Sequence, residues 1–200
     1  MKIFFKSLLC LLLYAGQASA QSPIPAGVGP AINASLGYSN MSRGASPSGR
    51  IGMNGVGASI TGALSPRHGV TVDLSYTRAS NVFGTGRHSD VLSYLGGPVF
   101  YPTRRRELVT YVHGLLGGAK VSGVIPLNTG GFATGYVHHV AWAFGGGIEH
   151  WFSDSMAVRV SADAIHTSFY DSSLAIREQY DLRTMWSVAY YFGRQKRGRL

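Results

Sequence analysis

The stretch from Val140 to Ala164 constrains the fold more than any other part of the chain. Val140, Trp142, Phe144, Gly146 and Ile148 fall on one face, and Ala141, Ala143, Gly145, Gly147 and Glu149 on the other, the period-two pattern of a strand whose faces meet different surroundings. After Ser153-Asp154-Ser155 the alternation resumes. Met156, Val158, Val160, Ala162 and Ala164 share one face, and Arg159, Ser161 and Asp163 the other, so the stretch reads as a β-hairpin. Bulk lies opposite the charges and glycines. A small soluble barrel fills its interior with large apolar side chains, whereas this pattern predicts an apolar face turned to lipid.

The turn also predicts a register. With Ser153-Asp154-Ser155 as a three-residue turn, Phe152 faces Met156, which sets Glu149 opposite Arg159, Ile148 opposite Val160 and Phe144 opposite Ala164. Charge then meets charge and apolar meets apolar. A turn one residue shorter or longer breaks both matches.

The first residues carry Lys2 and Lys6, an apolar run from Leu8 to Ala15, and Ala18-Ser19-Ala20 before Gln21, the layout of a secretory signal peptide over residues 1–20. Cys10 lies inside the apolar run rather than at its end, against a lipoprotein. No later segment approaches the roughly 18 to 20 unbroken apolar residues of a membrane-spanning helix. Removing the first 20 of 200 residues leaves 180 without a cysteine, so the exported chain holds no disulfide or thiol site. That length suits one domain of eight strands of roughly 9 to 11 residues plus connections.

Two of the 18 basic residues, Lys2 and Lys6, leave with the leader, taking the formal charge from +9 to +7. Export, and the gathering of Arg104, Arg105 and Arg106 in one turn and of Arg194, Lys196, Arg197 and Arg199 in the tail, argue against nucleic acid as a partner.

Residues 21–30 read as a Pro- and Gly-rich linker, and Ala31 to Ser39 as the first strand. Ile51 to Leu64, with a bulge expected near Gly55, and Val70 to Thr77 follow. Leu92 to Phe100 is a strand despite Pro98, and Leu108 to Gly118 is a strand whose facing stays open, because Val109, Tyr111, Val112 and Leu115 spread apolar bulk over both phases. The hairpin comes next, and Tyr180 to Phe192 closes the series. Long loops are expected from Met41, Ala79, Lys120 and Tyr170, alternating with short turns. Export, eight alternating segments, alternating connections and aromatics near strand ends together predict an all-β, eight-stranded antiparallel up-and-down transmembrane β-barrel over residues 31–193, with a basic tail at 194–200.

Gly37-Tyr38, Met53-Asn54-Gly55, Asp73, Tyr94 to Pro98, Tyr111-Val112-His113, Leu115 to Gly118, Phe144 to Glu149 and the aromatic last strand resemble the bacterial outer-membrane protein β-barrel domain family, the small OmpA-like or porin-family barrels. The resemblance implies termini and short turns in the periplasm, long loops outside that would meet an extracellular ligand, insertion by the outer-membrane assembly machinery among outer-membrane lipids, and no catalytic residues or cofactors. Such barrels end at a terminal aromatic, whereas Phe192 here is followed by Gly193 to Leu200.

Asp73, Glu149, Arg159, Asp163 and Arg183 fall on inward phases and predict a paired network in the lumen, read either as a plug or as a charge gate in a narrow pore. Trp142, Phe144, Trp186, Val188 and Phe192 are expected to face lipid. The Arg104 to Arg106 turn and the tail are expected to meet anionic headgroups on the periplasmic side. His166 and Ser168 resemble the His-x-Ser pair of outer-membrane lipid A deacylases, a hydrolase alternative. His138 and His139, adjacent in a strand, point to opposite faces, so no metal site is expected with His113 or His150.

Overall fold

A computed structural model describes residues 32–44, 49–104 and 108–192. The leader, the linker, Arg105, Arg106 and the basic tail with Arg194, Lys196, Arg197 and Arg199 lie outside the described residues. Arg104 ends a strand, with only its backbone described.

Eight strands form one closed barrel in sequence order: β1 (Ile32–Gly44), β2 (Arg50–Ala63), β3 (His68–Ala79), β4 (Ser89–Arg104), β5 (Leu108–Pro126), β6 (Phe132–Trp151), β7 (Met156–Tyr170) and β8 (Ile176–Phe192). Every neighbour is antiparallel, and β1 pairs with β8 to close the ring. Closure leaves no exposed sheet edge around the wall, which is what allows strands to sit in hydrocarbon. Among the described residues, no helix is long and apolar enough to cross a membrane. The first and last strand ends lie with the turns 64–67 and 152–155 at one end of the barrel, the turn end. The connections 80–88, 127–131 and 171–175 lie at the other, the loop end.

The β6–β7 register sets Glu149 opposite Arg159, Ile148 opposite Val160 and Phe144 opposite Ala164, the pairs that the turn length predicts. At the turn, the Phe152 and Ser153 amides both donate to the Met156 carbonyl, at 3.3 Å each. The turn end is tied to the wall beside it, since Tyr191 N donates to Ser155 O (2.8 Å) and Tyr101 N to Arg67 O (2.9 Å).

Several expectations are corrected. The strands run further toward the loop end: Met41 is buried within β1, Lys120 lies in β5, and β8 already includes Gln179. Only 80–88 is a long connection among those described, so loops and turns differ less in length than the sequence pattern implies. Gly55 pairs in unbroken register on both sides. The irregularity falls between Phe100 and Thr103, in the β4–β5 ladder. Pro98, without an N–H, still aligns with Val70 of β3, while the β5 ladder passes from Gly96–Leu116 to Val99–His113, the local cost that proline imposes on one neighbour.

The facing of β5 is settled by burial. Val109, Tyr111, His113, Leu115, Ala119, Val121 and Ile125 are buried, whereas Val112 and Leu116 are exposed. Its faces look alike in sequence because Val109 and Tyr111 pack inward with Val99 and Tyr101, and Leu115 joins the apolar cluster further along.

The outer wall carries a belt of exposed large apolar side chains, among them Leu36 (67%), Phe144 (64%) and Trp186 (60%), with Trp142, Val188 and Phe192 also outward. Exposed apolar area on this scale calls for a covering medium. Toward the loop end the outer wall turns polar: Arg78 pairs with Asp90 at 2.6 Å, Tyr76 donates to Asp90 at 2.8 Å, Tyr94 bonds His138, and Lys120 lies over the Tyr136 ring.

Candidate functional site: the lumen and its loop end

Charged side chains from four strands meet in the middle of the lumen. Arg183 of β8 is 1% exposed. It donates from Nη1 to Asp73 (2.6 Å) and Ser75 (2.9 Å), and from Nε and Nη2 to Asp163 (3.0 and 2.7 Å). Asp163 also accepts from His113 Nε2 at 2.8 Å. Gly145 sits between Asp163 and His113 in the β5–β6–β7 register, and a Cβ there would collide with the Asp163 carboxylate. A glycine at this point of the hairpin is therefore what admits the acid. Buried charges persist only when paired and hydrogen-bonded, and every nitrogen of Arg183 has a carboxylate partner.

A second cluster lies nearer the turn end. Arg159 Nη2 comes within 2.7 Å of Glu149 Oε1; the pair lacks hydrogen-bond alignment, so the contact is electrostatic. The same guanidinium donates to Asn33 (2.9 Å) and Ser59 (3.3 Å) and lies 5.3 Å from the Tyr111 ring. Tyr191 donates to Glu149 Oε2 and packs on Trp151, with ring centroids 4.1 Å apart. Tyr101 and Tyr111 form a tilted pair beside them. The one cavity described between these clusters has ≈ 20 Å³, with Asp73, Glu149, Arg159, Asp163 and Arg183 in its lining, room for about one water. Tyr101, Tyr111, Tyr191 and Phe169 are buried in the lumen, so aromatic bulk lies inside the barrel as well as in the belt outside.

Above the charged layer the lumen is apolar. Met41, Met53, Val91, Leu95, Leu115, Val121, Ile165 and Phe169 form one buried cluster, joined by Val82 and Val124 as the 80–88 loop folds down. Over it opens a cavity of ≈ 360 Å³, lined by Ile51, Val124, Pro126, Phe169 and Tyr170 together with Arg43, Asp171, Arg177, Glu178 and Gln179. Arg43 is 2% exposed and stacks on Phe169 at 4.1 Å. Its neighbour Asp181 accepts from Thr167 (2.8 Å) and Gly44 N (3.1 Å). At the rim, hydrogen bonds from Ser173 hold the Asp171 carboxyl down at about 2.

Alternation alone does not rank Arg43, His113, Tyr111, Tyr191 or Asp181 among the site residues. Arg43 and Asp181 fell in stretches read as a loop and a strand start, and His113 in the strand whose facing stayed open. His113 and Asp163 lie 50 residues apart in the chain, a separation that only strand order resolves.

The other sequence candidates disperse. His166 Nδ1 is buried without a hydrogen-bond partner, its ring stacks on Trp142 at 5.2 Å, and its Nε2 lies 3.5 Å from Glu178. Ser168 Oγ instead contacts His139 Nδ1 at 3.4 Å. The two halves of the His-x-Ser pair thus have different partners. Among the described residues, no group of three His, Cys, Asp or Glu side chains is placed to hold a metal.

No family model matches the chain, and no curated protein matches it in sequence. Solved structures do. The attachment invasion locus protein Ail of Yersinia pestis superposes with a TM-score of 0.58 at 16% identity, over 82% of this chain and 99% of that one. Neisserial surface protein A gives 0.62 at 11% identity, over 81% and 97%. Ail in complex with the heparin analogue sucrose octasulfate gives 0.57 at 15% identity, over 80% and 97%. The chain has the fold of the small eight-stranded bacterial outer-membrane barrels.

Proposed function

We propose that this chain is an outer-membrane barrel with a structural and surface-interaction role, closed to solutes by its own charged network. The observation that carries the reading is the ≈ 20 Å³ cavity in the charged layer, too small for a solute or a continuous water column. The belt around Leu36, Phe144 and Trp186 meets outer-membrane lipid, the turn end and termini face the periplasm, and the loop end faces outward. The assembly machinery would engage β8, whose aromatic Phe192 precedes the tail. Arg104, Arg105, Arg106 and the tail cations would lie on periplasmic headgroups.

The pore alternative loses support from the filled lumen, and the hydrolase alternative from the separate partners of His166 and Ser168. The reading is non-enzymatic, with no cofactor. Partnership at the outer surface rests on exposed Arg50, Arg87 and Arg177 near the loop end, which suit a polyanion of the kind seen with Ail. Fractionation tests the location: the processed chain is expected in outer membranes and, refolded in detergent, to show heat-modifiable gel mobility. Recovery as a soluble periplasmic monomer would sink the proposal.

A further inference from the structure

The loop-end cavity has a built polar anchor that the sealed-barrel role does not use. Arg43 is buried in its wall, and each of its surroundings is committed except one. With the Gln179 amide oriented so that its oxygen faces Arg43, that oxygen accepts from Nε at 3.1 Å and the amide nitrogen donates to Gly44 O at 3.1 Å. Phe169 covers one face of the guanidinium. Asp181 is engaged by Thr167 and by Gly44 N. Nη1 has no hydrogen-bond partner among the described residues, an expensive arrangement for a buried charged donor.

The remaining charges at this cavity are paired elsewhere. Asp171 takes Ser173, Ala175 N and Arg177 Nε, the last at 3.2 Å. Glu178 is largely exposed and reaches toward His166. What the cavity offers a ligand is therefore the Arg43 guanidinium in its wall, incompletely hydrogen-bonded, and apolar sides from Ile51, Val124, Pro126 and Phe169, the usual make-up of a small-molecule site.

We infer that the loop-end cavity binds a small apolar molecule carrying one carboxylate, with the carboxylate on the Arg43 guanidinium and the apolar body against Phe169 and Ile51. The inference does not depend on the surface-interaction reading, since the cavity would bind whether or not the loops engage a macromolecule.

The test titrates 2-naphthoate into the full chain in lipid nanodiscs, followed by naphthoate fluorescence. Saturable one-site binding is expected, with 2-naphthylmethanol weaker and 2-naphthylmethylammonium not bound. Arg43→Met should weaken 2-naphthoate about tenfold, the worth of one charge-assisted hydrogen bond, and Arg43→Lys should recover part of the loss. Ile51→Trp, at the position paired with Arg43 across β1 and β2, fills the cavity and should also abolish binding, while Arg67→Ala at the turn end should not change it. Competition by decanoate extends the class to chain acids, and its failure narrows the class to aromatic acids. Should Arg43→Met not fold, as judged by heat-modifiable mobility, Ile51→Trp and the three analogues on the unaltered chain decide the matter. Equal binding of acid and amine, or a signal that rises without saturation and is unchanged by Ile51→Trp, overturns the inference.

Discussion

The turn half and the loop half of the lumen hang on the same eight strands and are filled by opposite chemistry. Near the turn end, Asn33, Ser59, Asp73, Glu149, Arg159, Asp163 and Arg183 interlock through hydrogen bonds and ion pairs. Near the loop end, Met41, Met53, Leu95, Val121 and Ile165 pack as an ordinary apolar core. A directional network fails sharply when one member is lost; an apolar cluster yields gradually and leaves room above it. The cavity of ≈ 360 Å³ lies over the apolar half, and the charged half has only ≈ 20 Å³.

The sharpest break in this contrast is expected at Arg183. Arg183→Met leaves Asp73 and Asp163 buried without their cation, a loss typically about 3 to 5 kcal/mol, measured by urea unfolding of the detergent-refolded barrel. Leu95→Ala in the apolar cluster is expected near the lower end of about 2 to 5 kcal/mol, because no buried charge is left without its partner. A larger loss at Leu95 than at Arg183 would reverse the assignment of the two halves.

Coupling sharpens the same contrast. Glu149→Gln and Arg159→Gln are each expected to destabilise, by less than Arg183→Met because Tyr191 and Asn33 remain as partners, and the double variant should lose markedly less than the sum. Strict additivity would mean that the ion pair at 2.7 Å contributes nothing. On the outer wall, Val188→Arg should cost roughly 2 to 4 kcal/mol, the figure for a lipid-facing arginine near mid-membrane, and its loss should differ from that of Ser187→Arg beside it, since Ser187 is buried on the inward face. Equal, small losses at both would contradict the two-faced wall.

This division also explains what could be read from the sequence. Where the lumen is polar, as along Glu149 to Asp163, alternation separates inside from outside, and a single turn length places the hairpin register. Where apolar and aromatic side chains also point inward, both phases of a strand look alike: Val109 and Tyr111 pack inward with Val99 and Tyr101, so Leu108 to Gly118 had no legible facing, and the strand ends at Met41, Lys120 and Gln179 passed for loop. His113 and Arg43 stayed hidden because their roles depend on partners brought in from other strands, Asp163 for the first and Phe169 for the second. Glycine carried more information than its composition implies: Gly145 marks the place where Asp163 needs space.

The smallest effect is at the rim. Hydrogen bonds from Ser173 lower the Asp171 carboxyl to about 2, so whatever the bonded carboxylate adds to the 171–175 loop is fully present above the unfolded value of about 3.9 and lost only as pH falls through about 2. The Ser173 amide resonance should titrate near that lower value and lose the titration in Asp171→Asn. A midpoint near 4 would mean that the carboxylate is not held by the loop.

Single-channel recording in planar bilayers tests the seal most directly. The proposed seal predicts that the intact barrel inserts without conductance steps, since Arg183, Asp73, Asp163, Glu149 and Arg159 surround a cavity of only ≈ 20 Å³. Reproducible steps from the unaltered chain, scaling with salt concentration, would contradict a lumen closed by its own ion pairs.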